Sequence, residues 1–236
     1  MFGPKPVRAL SLVALASLAS CAGPGFQAET IYQERKLDEL RLHTSVPDAT
    51  QELRGSESRR GGVRLAMGGP DYSARGYMQV FGEELEATTT GGDADFDMAG
   101  IGVGIVGRQV FGPEFRRMRL ILPYRAGVDY LSGNARGNAT PTSTFDELEA
   151  LVYEAEVGVG ATYRGFDLVL GLAISSFDGK ARILGPSGSH QDGLRGTNTG
   201  AWVSAAYQPR QLPLRLEVRA GFGDLEETRI TAGLSY

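Results

Sequence analysis

Cysteine is almost missing from this sequence: Cys21 is the single one in 236 residues. An internal disulfide is therefore excluded, and nothing in the fold depends on oxidation. Histidine is nearly as scarce, with His43 and His190 the two present. No cluster of His and Cys offers a zinc-type ligand set, and no cofactor is implied. Past the first twenty residues, no apolar run reaches the length a membrane-spanning helix needs. A net charge of -4 and a pI near 5.3 remove the electrostatic basis for a nucleic-acid partner. Glycine is the excess: 33 residues without a collagen-like period, which fits a glycine-rich β protein better than a helical one.

The N-terminal segment sets an address. Lys5 and Arg8 precede an apolar stretch over 9–19, and small residues lead into Cys21. That is the layout of a secretory signal over 1–20, removed from the mature protein. Leu18-Ala19-Ser20-Cys21 resembles the lipobox of bacterial lipoproteins. The resemblance implies lipidation of Cys21 with palmitate-type chains. It also implies handling by the lipoprotein-sorting machinery and, with Ala22 next, delivery to the outer membrane. A diacylated cysteine supplies the more than one buried chain that stable anchoring requires. The competing reading is an ordinary signal cut after Ala22, with Cys21 incidental.

Residues 22–26 read as a tether. The stretch 28–42 is rich in good helix formers and predicts a helix with a thin apolar stripe of Ile31, Leu37 and Leu40. It is too short for a coiled coil. Residues 45–62 read as a polar loop. The expected organisation is a signal peptide over 1–20, a lipidated tether and helical linker over 21–60, and a β-barrel over 61–236.

From residue 61 onward the apolar period is two. Met118, Leu120, Leu122, Tyr124, Ala126, Val128 and Tyr130 share one face of a segment whose other face carries Arg117, Arg119, Arg125 and Asp129. Leu151, Tyr153, Ala155, Val157, Val159, Ala161 and Tyr163 repeat the pattern, with Glu154 and Glu156 opposite. Phe166 to Ile174 make a third such face. Leu214 to Phe222 oppose Arg215, Glu217 and Arg219, and Thr228 to Tyr236 oppose Arg229. Weaker strands are expected at 63–67, 75–85, 96–106 and 199–207. Strict alternation argues half-buried strands. Several match the roughly 9–11 residues that cross a bilayer at a tilt. Nine strands are read where an even number is normal for such barrels, so eight and ten both stay open. Ten would need a further strand near 40–53. Arg164-Gly165, 208–213 and 107–114 are short connections, whereas 132–146 and 179–196 read as long polar loops.

Together these features resemble the small bacterial outer-membrane β-barrel proteins, porin-like in architecture, over about three quarters of the chain. The fold class expected is all-β, an antiparallel transmembrane barrel of 8–10 strands preceded by a short helix or linker. Phe111, Phe115, Tyr163, Phe166, Tyr207 and Tyr236 gather at strand ends on the short-turn side, where rings favour a membrane–water interface. The resemblance implies that the terminal strand ending at Tyr236 is the signal read by the barrel-assembly machinery, and that outer-membrane lipid is the surrounding partner. In a soluble lipocalin-like barrel tethered by lipid, the same apolar faces would point inward. Trp202 falls on the polar face and is expected in the lumen or at a bulge.

The candidate site is therefore a lumen charge network of Arg117, Arg119, Arg125, Asp129, Glu154, Glu156, Arg215, Glu217, Arg219 and Arg229, with Glu227 nearby. A low-dielectric interior requires such charges to be paired. The function expected is non-catalytic: envelope structure, surface interaction or anchoring, with a surface ligand or protein partner unspecified. A narrow ion or small-solute channel is the alternative. Some small outer-membrane barrels modify lipids with a Ser/His/acid group, but Ser187-Gly188-Ser189-His190-Gln191-Asp192 packs those types too closely to imply a relay. Asp93, Asp95 and Asp97 alternate onto one face, a weak calcium motif at most, so no metal site is assigned. Gly100-Ile101-Gly102-Val103-Gly104 lacks the following helix that a dinucleotide fingerprint requires.

Overall fold

The computed structural model describes residues 26–38, 40–43, 50–68, 73–115, 118–209 and 212–235. Cys21, the signal segment, Arg117 and Tyr236 lie outside them. The strands are β1 (Phe26–Leu37), β2 (Arg41–His43), β3 (Thr50–Glu52), β4 (Arg54–Gly68), β5 (Ala74–Thr89) and β6 (Gly92–Phe115). They continue with β7 (Met118–Thr140), β8 (Ser143–Tyr163), β9 (Phe166–Gly185), β10 (Gly188–Tyr207), β11 (Leu214–Gly223) and β12 (Leu225–Ser235). Ten of these close on themselves in the order β1-β4-β5-β6-β7-β8-β9-β10-β11-β12 and back to β1, every neighbour antiparallel. The fold is an all-β antiparallel barrel of transmembrane type.

The tenth strand is β1, which corrects the helix and linker expected over 21–60. The barrel begins at Phe26, not at residue 61. From Ile31 onward the side chains alternate, with Gln33, Arg35 and Leu37 buried and Tyr32, Glu34 and Lys36 exposed. Helix propensity is a weak prior. Here it is overridden by two open edges: β1 pairs along its length with β4 on one side and β12 on the other. β2 and β3 occupy the region near 40–53 but are accessory, β2 pairing only with residues 193–195 of β10 and with β3.

The apolar faces point outward. Leu168, Leu170 and Leu172 are 63%, 61% and 65% exposed, and Ile101, Val103, Val157, Val159, Leu120 and Val218 share that outer belt. This is the reverse of a lipocalin-like interior. Tyr153 and Tyr163 border the belt on β8. Their separation is roughly 33 Å along a strand, or about 25 Å in height at the usual tilt, the thickness of an outer-membrane apolar band. At one border the Phe166 and Tyr207 rings stack with centroids 4.3 Å apart.

That border is the end where Gln27 of β1 meets Ser235 of β12, here called the termini end. Its turns are short. Arg164-Gly165, with φ of 51° and 91°, has the two positive φ values of the hairpin turn that matches strand twist. The 107–114 connection is instead strand, as β6 runs on to Phe115. At the opposite, hairpin end the expected long loops at 132–146 and 179–196 are absent. β7, β8, β9 and β10 run straight through them, and two-residue turns join them at 141–142 and 186–187. The composition misleads because this extension alternates small or polar residues outside with Leu131, Ala135, Ala139, Phe145, Leu148, Ala181 and Ile183 inside. Its outer surface is ionic, with Arg182 reaching Asp146 at 2.7 Å and Glu147 at 2.9 Å, and Arg195 reaching Asp178 at 3.0 Å. The change from apolar to ionic exterior marks where the lipid-facing band stops.

A candidate site in the barrel lumen

Inward positions of the long strands carry three layers. Next to the hairpin end lies a packed apolar layer, in which Phe96 and Phe145 meet edge to face at 5.1 Å. Leu37, Leu40, Leu42, Leu53, Leu85, Leu131, Leu148 and Leu194 fill the space around them. Leu40, Leu42 and Leu53 come from the chain around β2 and β3, so the accessory strands bring apolar filling to this end.

Below it runs a belt of ion pairs. Arg35 donates to Glu83 at 2.8 Å and to Glu154 at 2.7 Å. Arg60 donates to Glu83 at 2.9 Å and to Asp129 at 2.6 Å, while the Ser58 hydroxyl adds a bond to Glu83 at 2.5 Å. Arg125 bridges Glu154, at 2.6 Å, and Glu156. Glu156 also accepts from Arg219 and, at 2.8 Å, from Arg229, and Arg229 donates to Glu227 at 2.7 Å. The belt thus ties together β1, β4, β5, β7, β8, β11 and β12. Charges removed from water need this degree of mutual pairing to persist in a low-dielectric interior.

Aromatic faces support the guanidinium groups. Arg60 lies 4.0 Å over Phe81, Arg219 lies 4.2 Å over Trp202, and Arg64 lies 4.8 Å over Tyr77. Cation–π contact favours these placements. Glycines supply the room: a Cβ on Gly100 would overlap the Phe81 ring, one on Gly102 the Asp129 carboxylate, and one on Gly158 would sit 2.7 Å from the Trp202 ring. The glycines of 100–104 therefore make lateral space in a sheet, not a nucleotide turn. Trp202 is a lumen residue, its indole N–H donating to the Leu172 carbonyl at 3.1 Å.

Toward the termini end the lumen opens as a cavity of about 310 Å³. Asp167 anchors one wall, accepting from Arg108 and from Arg215, each at 2.8 Å, and Arg215 also reaches Glu217 at 3.2 Å.

Of the residues expected in the network, Arg125, Asp129, Glu154, Glu156, Arg219 and Arg229 lie in the belt, and Arg215 and Glu217 line the cavity. Arg119 is exposed near the start of β7, where the strand reaches the rim. Sequence reasoning missed Arg35, Arg60, Arg64 and Glu83. Arg35 sat in the supposed helix and Arg60 in the supposed loop. A signal did exist in Arg60-Gly61-Gly62-Val63-Arg64, where the two arginines share a face once glycine is accepted as a strand residue. Asp167 was legible too, as the polar neighbour between Phe166 and Leu168. Asp93, Asp95 and Asp97 lie exposed on the outer face of β6, and no group of carboxylate, His or Cys residues able to hold a metal occurs among the described residues. His190 lies 3.5 Å from Asp192 near the hairpin tip.

No protein-family model matches the chain, and no curated protein matches it. Among solved structures, the transport unit of the autotransporter AIDA-I from Escherichia coli is similar at 9% identity, over 97% of this chain and 96% of that one, with a TM-score of 0.47. The translocator domain of the autotransporter NalP from Neisseria meningitidis is similar at 10% identity, over 97% and 95%, with a TM-score of 0.43. The attachment invasion locus protein Ail of Yersinia pestis is similar at 11% identity, over 89% and 97%, with a TM-score of 0.20.

Proposed function

We propose that this chain is an outer-membrane barrel with a sealed lumen, whose strand extension stands outside the membrane as a rigid, non-catalytic contact surface. The observation that carries this reading is the stack of an ion-pair belt beneath a packed apolar layer, two successive barriers across one narrow barrel. A ten-stranded barrel has little spare width, since about eight strands already leave room only for side chains or one small ligand. The hairpin end is assigned outward because the strands run on past the apolar band there, and the longer features of such barrels stand on the outside. The contact surface is then a sheet rather than flexible loops, so little conformational entropy is lost when a partner docks.

The test is conductance in planar bilayers of the refolded protein. Wild type is expected to give no discrete steps, and reproducible ion-selective steps would reject the sealed lumen. A narrow channel is the second reading, favoured by the arginine-rich cavity at the termini end, and it predicts steps whose selectivity changes in Arg219→Ala.

The proposal includes lipidation at Cys21 within the motif Leu18-Ala19-Ser20-Cys21. Barrel and anchor separate in a Cys21→Ser variant given a standard signal peptide. The variant is expected to lose acyl label yet stay in the outer-membrane fraction and migrate faster unheated than boiled. Recovery in the soluble periplasm would mean that lipid, not the barrel, holds the protein at the membrane.

A further inference from the structure

The cavity at the termini end has an electrical peculiarity that the sealed-lumen reading does not use. Seven arginines line it, Arg64, Arg75, Arg108, Arg125, Arg215, Arg219 and Arg229, against the four carboxylates Glu29, Glu156, Asp167 and Glu217. Glu154 and Glu227, outside the lining, pair with Arg125, Arg219 and Arg229, and two of the lining carboxylates are already shared. Glu156 serves Arg125, Arg219 and Arg229, and Asp167 serves Arg108 and Arg215.

Arg64 stands apart from the others. Its side chain is 6% exposed, so it is deeply buried, and its Nε and Nη2 both donate to the neutral Gln79 amide oxygen, at 3.2 and 3.0 Å. The nearest carboxylate is Glu29, at 3.5 Å. Gln79 in turn donates to Asp129 at 2.6 Å, so it passes the belt's negative charge to Arg64 only through an amide. The Nε atoms of Arg108 and Arg125 are also buried and find no hydrogen-bond acceptor among the described residues. A buried donor without an acceptor is costly, and so is a buried charge whose carboxylate pairing is long. The guanidinium groups of this wall stand beside an open cavity that an acceptor from outside can enter.

We propose that this cavity binds a small phosphoryl anion, with Arg64 as the principal contact and Arg125, Arg219 and Arg229 completing the cationic wall. Guanidinium groups present planar, paired donors that match phosphate oxygens. Arg64, whose hydrogen-bond acceptor is a neutral amide, is the guanidinium such an anion would engage first. The volume of about 310 Å³ lies at the small end of ligand sites, which selects a compact solute. The site lies apart from the external contact surface, so either assignment can fail without the other.

Trp202, the single tryptophan of the chain, lines the same cavity and reports on it. The experiment is a titration of the full chain, refolded in detergent micelles, with sodium pyrophosphate at constant ionic strength, read by tryptophan emission. A saturable change is expected. Arg64→Gln should weaken it about tenfold, the loss of one charge-assisted contact. Glu29→Gln, which removes a competing carboxylate, should tighten it. The proposal is overturned if emission does not saturate, if sodium chloride at equal ionic strength gives the same change, or if Arg64→Gln titrates like wild type. Should Arg64→Gln fail the heat-mobility test of folding, Glu29→Gln decides alone: tighter binding supports the site, and unchanged binding rejects it. The same titration in micelles containing phosphatidylglycerol separates sources. A lost response assigns the site to a lipid headgroup, and a retained one to a free solute.

Discussion

Glu156→Gln is expected to destabilise the barrel by about 3–5 kcal/mol, the usual result of removing one partner from a buried ionic group. Glu156 accepts from Arg125, Arg219 and Arg229, so the variant leaves three guanidinium groups converging on a neutral amide. The glutamine is nearly isosteric, which separates charge from packing. Urea unfolding in micelles measures the loss. A double variant, Glu156→Gln with Arg229→Gln, should recover part of it, because contacting residues in one network are not additive. A loss below about 1 kcal/mol would show that water screens the belt, and the lumen would then have to be hydrated.

Phe96→Ala is expected to cost about 3–5 kcal/mol, the range for emptying an aromatic site in a packed core. Phe96 is 1% exposed and meets Phe145 edge to face. Its position in the extension makes the expected effect local. The hairpins joining β5 to β6 and β7 to β8 should become protease-sensitive and lose amide protection. The lipid-facing belt, held by different side chains, should keep its heat-modifiable migration. Wild-type protease resistance in the variant would show that the extension is not held by a packed core.

The two variants probe regions that differed in how far they could be read from sequence. The lipid-facing strands were legible because large apolar residues recur at every second position, as in Tyr153, Val157 and Val159 opposite Glu154, Glu156 and Gly158, a pattern that one apolar environment imposes. The extension was not, because its interior uses Ala135, Gly133 and Ala139, side chains too small to stand out from a Gly- and Asn-rich loop. Its exterior meets water, so neither face carried a strong signal. β1 was misread for a different reason. Glu, Lys, Arg and Gln favour helix locally, and nothing within 28–42 reveals that two distant edges await a partner. The belt was legible in half. Glu154, Glu156 and Arg125 oppose obvious apolar faces, whereas Arg35, Arg60 and Glu83 sit in segments whose strand character depends on pairing.

Because β1 is hydrogen-bonded to both β4 and β12, residues near opposite ends of the chain are neighbours in space. Pairings between β4 and β11 can form progressively as hairpins of short sequence separation. The final seam cannot: joining Gln33 to Arg229 closes a loop spanning nearly the whole sequence. The entropy of closing a loop grows only slowly with length, but the search for a non-local pairing is slow. A chain shortened by either β1 or β12 keeps nine strands and presents two unsatisfied edges toward lipid, where bare backbone groups are not tolerated. Such truncations are therefore expected to be lost as unassembled protein rather than to persist as smaller barrels, so assembly of this molecule is all-or-none at its last seam.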